Sequence, residues 1–409
     1  MRRALGIELR RGVGIWTALP LTVALALTVL AHPREWAGDW YGWAYYLRTS
    51  LIAFGPLVVA AAAWQGGRES RRGLTELLSS ASRPALSRAW VSFASPAAWA
   101  LAALVTVASA MAAVTASHTS YGRPPVLLAL SAAAAVLMLA SVGFVVGRLA
   151  PWRATAPLLA VAVYVGMAVL TYAQSGRQYL SPGLDLFSGY VPAPWWAPLS
   201  AAMFLALGVA ALLLLADGRR WWAAPALGLA ILAAVPIAST GQDAFTADEA
   251  GEQLVCARGD PEVCLTRRHA DQLPRVAAVV QAVLAGLDTP GPVVEQRVGP
   301  GLPDQTGTLN TLYLGADLSG SADLEVVRQD AAQRAVAWNC DGFPSPSDDS
   351  LSIATYELAD WARERPRPPY GGALQGRTPQ QALSLIKQFA TAASHCDLAA
   401  ARALLATPP

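Results

Sequence analysis

Apolar residues crowd the first 240 positions of this 409-residue chain in seven long stretches, and beyond them the pattern turns mixed and polar. The stretches run roughly over 12–31, 49–64, 97–115, 126–147, 155–173, 199–216 and 222–240. A helix rises about 1.5 Å per residue, so about 20 residues cross the roughly 30 Å hydrocarbon core of a bilayer. Most of the seven reach that length. The shortest, 49–64, draws on residues 44–47, with Arg48 expected to snorkel to the interface. No charged side chain interrupts the cores, as lipid requires of spanning helices. The expected fold is a polytopic α-helical membrane protein with seven transmembrane helices over residues 1–240. A second domain follows over 241–409.

Past residue 240 the periods shorten. Residues 271–287 set Leu273, Val276, Val279, Val280, Val283, Leu284 and Leu287 on one broad helical face, with Asp271 expected as its cap. Short β-branched or aromatic runs at 292–298 and 309–314 read as strands around a glycine-containing turn region. Helical spacing returns over 322–338, over 348–365, and from Thr378-Pro379 towards Cys396, with a last short helix to about Leu405. This predicts a mainly α (α+β) domain large enough to bury its own core.

Charge gives the chain a direction. Thirteen arginines fall in the N-terminal segment and the loops after the second, fourth and sixth stretches; the alternate loops hold only Arg34, Arg48, Arg123 and Arg177. The arginine-rich side is cytoplasmic by the positive-inside rule. Seven crossings from an inner N-terminus then leave the C-terminal domain outside the cell membrane. The start is not a cleavable signal peptide, because Ala31-His32-Pro33 makes a poor cleavage site. Residues 1–240 carry a net charge of +10 and residues 241–409 a net −8. The inner arginines sit singly or in pairs beside spans, where the membrane explains them, so nothing points to nucleic acid.

All four cysteines, Cys256, Cys264, Cys340 and Cys396, follow the last apolar stretch. An even count outside the membrane predicts disulfides. The turn Gly259-Asp260-Pro261 favours a local Cys256–Cys264 bridge and leaves Cys340 to pair with Cys396. Free buried thiols are the bland alternative. No metal site is expected, since no C-x₂₋₄-C knuckle is present and only His269 and His395 lie nearby.

Two loops stand apart. After the second stretch, Leu74, Leu77, Leu78 and Ala81 share one helical face, while Glu69, Arg72 and Glu76 point elsewhere. The segment is either an interfacial helix on the inner leaflet or a docking helix for a cytoplasmic partner. The docking reading uses Glu69, Arg71, Arg72, Leu74, Glu76, Leu77 and Leu78. Between the fifth and sixth stretches, residues 174–197 are dense in Leu, Phe, Tyr and Trp and broken by Pro and Gly, as expected of a segment that dips into the headgroups or plugs the spans. Trp195 and Trp196, with Trp36, Trp40, Tyr41 and Trp43, read as an outer aromatic belt; Trp152, Trp221 and Trp222 mark the inner side.

The basic start at 1–11, the inner helix in Gly67-Arg-Glu-Ser-Arg-Arg-Gly-Leu-Thr-Glu-Leu-Leu78 and the segment 179–196 resemble the permease subunits of ABC-2 type exporters. The resemblance covers about residues 1–216. It implies that 69–80 is the coupling helix, 1–11 the inner connecting helix and 179–196 the outer re-entrant pair. It also implies a cytoplasmic ATPase subunit carrying ATP and Mg, and a second permease copy or paralogue. The seventh stretch and the 169 residues after it depart from that family's six-span pattern.

The chain lacks a G-x-x-x-x-G-K-[ST] phosphate loop, so no cofactor is expected in it and no catalysis of its own. No H-E-x-x-H or G-x-S-x-G motif is present either. A triad built on His395 and Asp397 is conceivable, but surface histidines with satisfied bonds are the default. With no intramembrane Asp, Glu, Lys or His to relay protons, coupled secondary transport is disfavoured. Two classes remain: the permease of an ATP-driven exporter in contact with membrane lipid, and a membrane-anchored extracytoplasmic binding or sensory protein.

Overall fold

The computed structural model describes the whole chain except residues 1–5, 7–12, 74–84, 173–175, 185–188, 217–219, 288–290, 297–310, 317, 319–321, 337–348, 365–371 and 408–409. The chain divides into two compact units. One comprises Met1–Ser117 and Arg123–Thr246, the other His118–Gly122 and Ala247–Pro409.

The first unit is helical. Its helices are α1 (Val13–Leu30), α2 (Trp40–Thr49), α3 (Leu51–Gly66), α4 (Ala85–His118), α5 (Val126–Leu149), α6 (Thr155–Thr171), α7 (Trp196–Leu213) and α8 (Ala223–Thr240). Among the described residues, Ala89–His118, Val126–Leu149, Trp196–Leu213 and Arg220–Ala244 are long and apolar enough to cross a membrane. The pair α2–α3, bent by 44°, makes a fifth if it counts as one span; Ile15–Leu30 and Thr155–Thr171 are apolar but shorter. The expected second span, 49–64, lies almost wholly in α3, the second half of this bent pair. Asp39 caps the pair's first half by accepting from the N–H groups of Tyr41 and Gly42, an N-cap that the residue type favours. The break falls at Ser50, whose hydroxyl donates to the Leu47 carbonyl, a side-chain-to-backbone bond of the kind that bends helices.

Helices α3 and α5 meet backbone to backbone. A Cβ placed on Gly147 would overlap the Ala63 carbonyl, one on Gly143 the Val59 carbonyl, and one on Gly66 the Phe144 carbonyl. Between apolar helices in lipid there is no hydrophobic drive, so such close approach supplies the attraction through dispersion. The two glycines of α5 stand four positions apart, which puts them on one face of the helix.

Several expectations are corrected here. Trp36, Trp43 and Trp196 are core residues, at 3%, 6% and 0% exposure, and so pack inside the unit instead of facing outward as a belt would. Tyr179 and Phe245 stack at 5.2 Å, and Trp196 meets Phe245 edge-on, so aromatic bulk fills the unit's interior. A short strand β1 (Tyr190–Pro192) pairs with β2 (Phe245–Ala247), and the Ala193 N–H donates to the Ala244 carbonyl at 2.8 Å.

The second unit holds a four-stranded sheet in the order β3 (Leu254–Ala257), β4 (Val263–Thr266), β5 (Val293–Glu295) and β6 (Leu312–Leu314). β3 and β4 are antiparallel; β4, β5 and β6 are parallel. Helix α9 (Leu273–Leu284) makes the crossover that parallel neighbours require. The sequence pattern places β5 and β6 and misses β3 and β4, two four-residue runs without period-two alternation, β3 largely exposed and β4 buried throughout. Helices α10 (Leu324–Val336), α11 (Asp349–Glu364), α12 (Pro379–Ser394) and α13 (Leu398–Ala406) complete the unit. Val263, Val276, Val280, Val293, Val327, Leu358, Trp361 and Phe389 form its core. Fully burying one such large side chain contributes about 1.5–3 kcal/mol. Thr378 and Gln381 form the capping box that opens α12. Asp271 does not cap α9, which starts after Gln272 without a side-chain cap.

Candidate functional site

Helix α3 ends at Gly66, and one further turn, Arg68–Arg71, begins the segment expected to dock a partner. Glu69 faces inward. Its Oε2 meets Arg148 NH1 at 3.0 Å, at the end of α5, and its Oε1 accepts from the Ser92 hydroxyl on α4 at 3.2 Å. Arg71 folds back, donating to the Trp64 carbonyl, with its guanidinium 4.4 Å from the Trp64 ring. Burial, and then the charge of Arg153, lower its pKa from the ordinary value. Arg72 is exposed. Leu74, Glu76, Leu77 and Leu78 lie outside the described residues. Glu69 and Arg71 thus both have partners within this unit and both stay partly exposed.

Around Arg48 the structure builds a site that the sequence pattern puts at the interface. Arg48 does not snorkel; it is 1% exposed. Its Nε donates to the Pro182 carbonyl at 3.4 Å, NH2 to the Ser181 carbonyl at 2.8 Å and NH1 to the Ser200 hydroxyl at 3.2 Å. The residues it touches are wedged between helices. Ser181, Pro182, Gly183 and Leu184 are all buried, and beyond the Ser181 N–H, which closes the preceding turn on the Gln178 carbonyl, they stand outside helix and strand. Thr171 on α6 donates to the Gly183 carbonyl at 3.0 Å, and Thr49 on α2 to the Leu184 carbonyl at 2.9 Å. Four consecutive carbonyls are thus capped by three side chains. Irregular backbone survives at membrane depth only when its polar groups are satisfied in this way. A Cβ on Gly183 would overlap Ile52, so the segment also needs glycine to fit against α3. The signal for this site is the aromatic run Trp40-Tyr-Gly-Trp-Ala-Tyr-Tyr-Leu-Arg48, whose alternate helical faces could have marked a packed helix.

The second unit carries a polar cluster at one end of its sheet. Glu295 on β5 accepts from the Thr266 N–H at 2.7 Å and meets His269 Nδ1 at 2.6 Å. Burial pushes the Glu295 carboxyl up, and the His269 ring with the Thr266 bonds outweighs it, so the group sits below its ordinary value. His269 is thus a mostly buried partner and no surface residue. Arg268 and Glu252 form a buried pair at 2.8 Å. Tyr121 donates to Asp248 at 3.0 Å, and burial with that bond pushes its phenol up to about 12. These groups tie strands and turns together. Asp397 caps α13 by accepting from the Ala400 N–H at 2.9 Å, which is a structural use of the residue considered for a triad.

Cys256 and Cys264 are bridged across the β3–β4 pair, as the spacing predicts. Glu262 lies close to both sulfurs, but sulfurs bonded to each other offer no thiolate to an ion. Cys396 is disulfide-bonded, and Cys340 lies outside the described residues. Comparison with known proteins finds no matching family, no matching characterised relative and no matching solved structure.

Proposed function

We propose that this chain is the transmembrane permease subunit of an ATP-driven exporter that works with a separate cytoplasmic ATPase and a second permease copy or paralogue. The observation that carries this reading is the Glu69 joint. A carboxylate in the first turn beyond α3 grips α4 through Ser92 and α5 through Arg148. A push on residues 69–80 by a partner that hydrolyses ATP with Mg would then move three membrane helices together. The capped segment 181–184 supports the re-entrant element that the resemblance implies.

The sidedness of this reading has its own support. Arg48, near the end of α2, and Glu69, in the turn after α3, flank α3 on either side, and the first bonds to Ser181 while the second pairs with Arg148. The segment between Arg148 and Ser181 therefore runs as far as α3 does, and α6 inside it is 17 residues, about 25 Å, long. That favours α6 as a full crossing in a seven-span path. Arginine asymmetry then sets the N-terminus in the cytoplasm and residues 247–409 outside.

The test is purification of the full chain from its native membranes under conditions that preserve other membrane complexes. The expected particle contains a polypeptide with a phosphate loop and hydrolyses ATP. A particle without a nucleotide-binding subunit would favour the rival reading, a membrane-anchored extracytoplasmic binding or sensory protein, which draws on the separate core of the second unit.

A further inference from the structure

We propose that Arg48 is the recognition point for a singly charged oxyanion carried on an apolar body, with the phosphate of an anionic amphiphile as the group it reads. The step of transporting such a ligand rests on the exporter reading; the binding does not.

A guanidinium has five N–H donors and a permanent positive charge. Arg48 uses three donors, on the carbonyls of Ser181 and Pro182 and the hydroxyl of Ser200. All three acceptors are neutral, and among the described residues no carboxylate pairs with it. Trp196, fully buried beside it, keeps an indole N–H with no acceptor. The guanidinium carbon lies 5.0 Å from the Trp196 ring and 5.4 Å from the Phe204 ring. Among the described residues the place therefore has donors in surplus, a charge without a counter-charge, and aromatic walls.

Such a charge within a membrane protein is expensive, and it marks a functional site by default. A buried water would take spare N–H groups but would leave the charge uncompensated. A phosphate or carboxylate supplies both the acceptors and the charge, and the planar guanidinium fork matches two of its oxygens. The aromatic rings favour a ligand whose anionic group is joined to an apolar body. Access follows from the segment Ser181, Pro182, Gly183 and Leu184. Its carbonyls hold the fork now, and its withdrawal would release two donors to an incoming oxyanion. Thr49 and Thr171 hold the same segment closed.

The experiment measures binding of pyrene-labelled phosphatidylglycerol and of the same label on phosphatidylcholine to the purified full-length chain, with no ATPase present. The expected result is at least a tenfold preference for phosphatidylglycerol, abolished in R48Q. Because R48Q also releases Ser181 and Pro182, a second variant carries the test independently. W196F keeps an aromatic ring, though a smaller one, and removes an N–H that has no acceptor among the described residues. It should weaken phosphatidylglycerol binding several-fold while phosphatidylcholine binding stays as in the native chain; the smaller ring in the core lowers thermal stability, a loss that would move both lipids alike. Equal affinity of the native chain for both lipids overturns the proposal, as does an unchanged preference in W196F and R48Q. Displacement of the labelled lipid by millimolar inorganic phosphate would show a site for the free anion and overturn the amphiphile class. None of these readings depends on ATP, so failure of the exporter reading and failure of this one are separable.

Discussion

Glu69 and Arg148 are 79 positions apart and meet at 3.0 Å, each side chain 25% exposed. Separation along the chain is no obstacle, because α3 and α5 already touch along their length through Gly66, Gly143 and Gly147. The ion pair extends that seam beyond the apolar zone.

Breaking the pair should uncouple the segment 69–80 from the membrane helices. Solvent-accessible pairs contribute about 0.2–1 kcal/mol, so E69Q should leave expression and folding intact. In a complex with its ATPase, E69Q and R148Q should each lower transport per ATP hydrolysed, and the swap E69R with R148E should restore part of it. Equal losses in the single variants and the swap would show that the pair does not carry the coupling.

Gly147→Leu should destabilise the membrane unit by about 1–3 kcal/mol or more, since a side chain there meets the Ala63 carbonyl. Gly228, whose added Cβ meets nothing, is the matched control: G228A should be neutral or slightly stabilising. Thermal unfolding in detergent, followed by size-exclusion chromatography, reads both. A G147L protein as stable as G228A would mean that the helices do not approach this closely.

Acid should loosen the sheet end where Glu295 sits. Its folded pKa is lowered, so its stabilisation is present above the unfolded carboxylate value of 4.5 and is lost as pH falls through the lower folded value. Hydrogen exchange of peptides covering 263–269 and 293–295, corrected for intrinsic rates, should show protection falling in that acid window. In E295Q the protection should already be reduced at neutral pH, by about 1.5–3 kcal/mol for bonds to a charged group, and the acid step should flatten. An acid profile identical in the two proteins would exclude this pair as its source.

Sidedness is checked with single cysteines introduced as Ser120→Cys and Arg153→Cys, read by a membrane-impermeant thiol reagent on intact cells. The reading of seven crossings expects the Ser120→Cys variant to label from outside. The Arg153→Cys variant should label only after the inner face is opened. Both labelling from one side would remove α5 as a full crossing and with it the proposed path.

Local signals in the chain located the apolar blocks, the arginine bias, the start of α12 at Thr378 and the helices of the second unit. Each depends on residues a few positions apart, whose spacing and composition are visible without a partner. The local Cys256–Cys264 bridge was legible for the same reason. What only the tertiary structure decided is where buried polar groups find partners. The acceptors of Arg48 lie 133 to 152 positions away, so a lone arginine at the edge of an apolar run reads as interfacial until the segment around Ser181 is packed against it. Trp196 reads as an anchor by composition and becomes core because Phe245, itself stacked on Tyr179, and Arg48 converge on it. His269 gains Glu295 across 26 positions, and β3 gains its strand character from pairing with β4. Hydrophobic periodicity fixes which stretches leave water, and long-range satisfaction of charge and hydrogen bonds fixes how they meet.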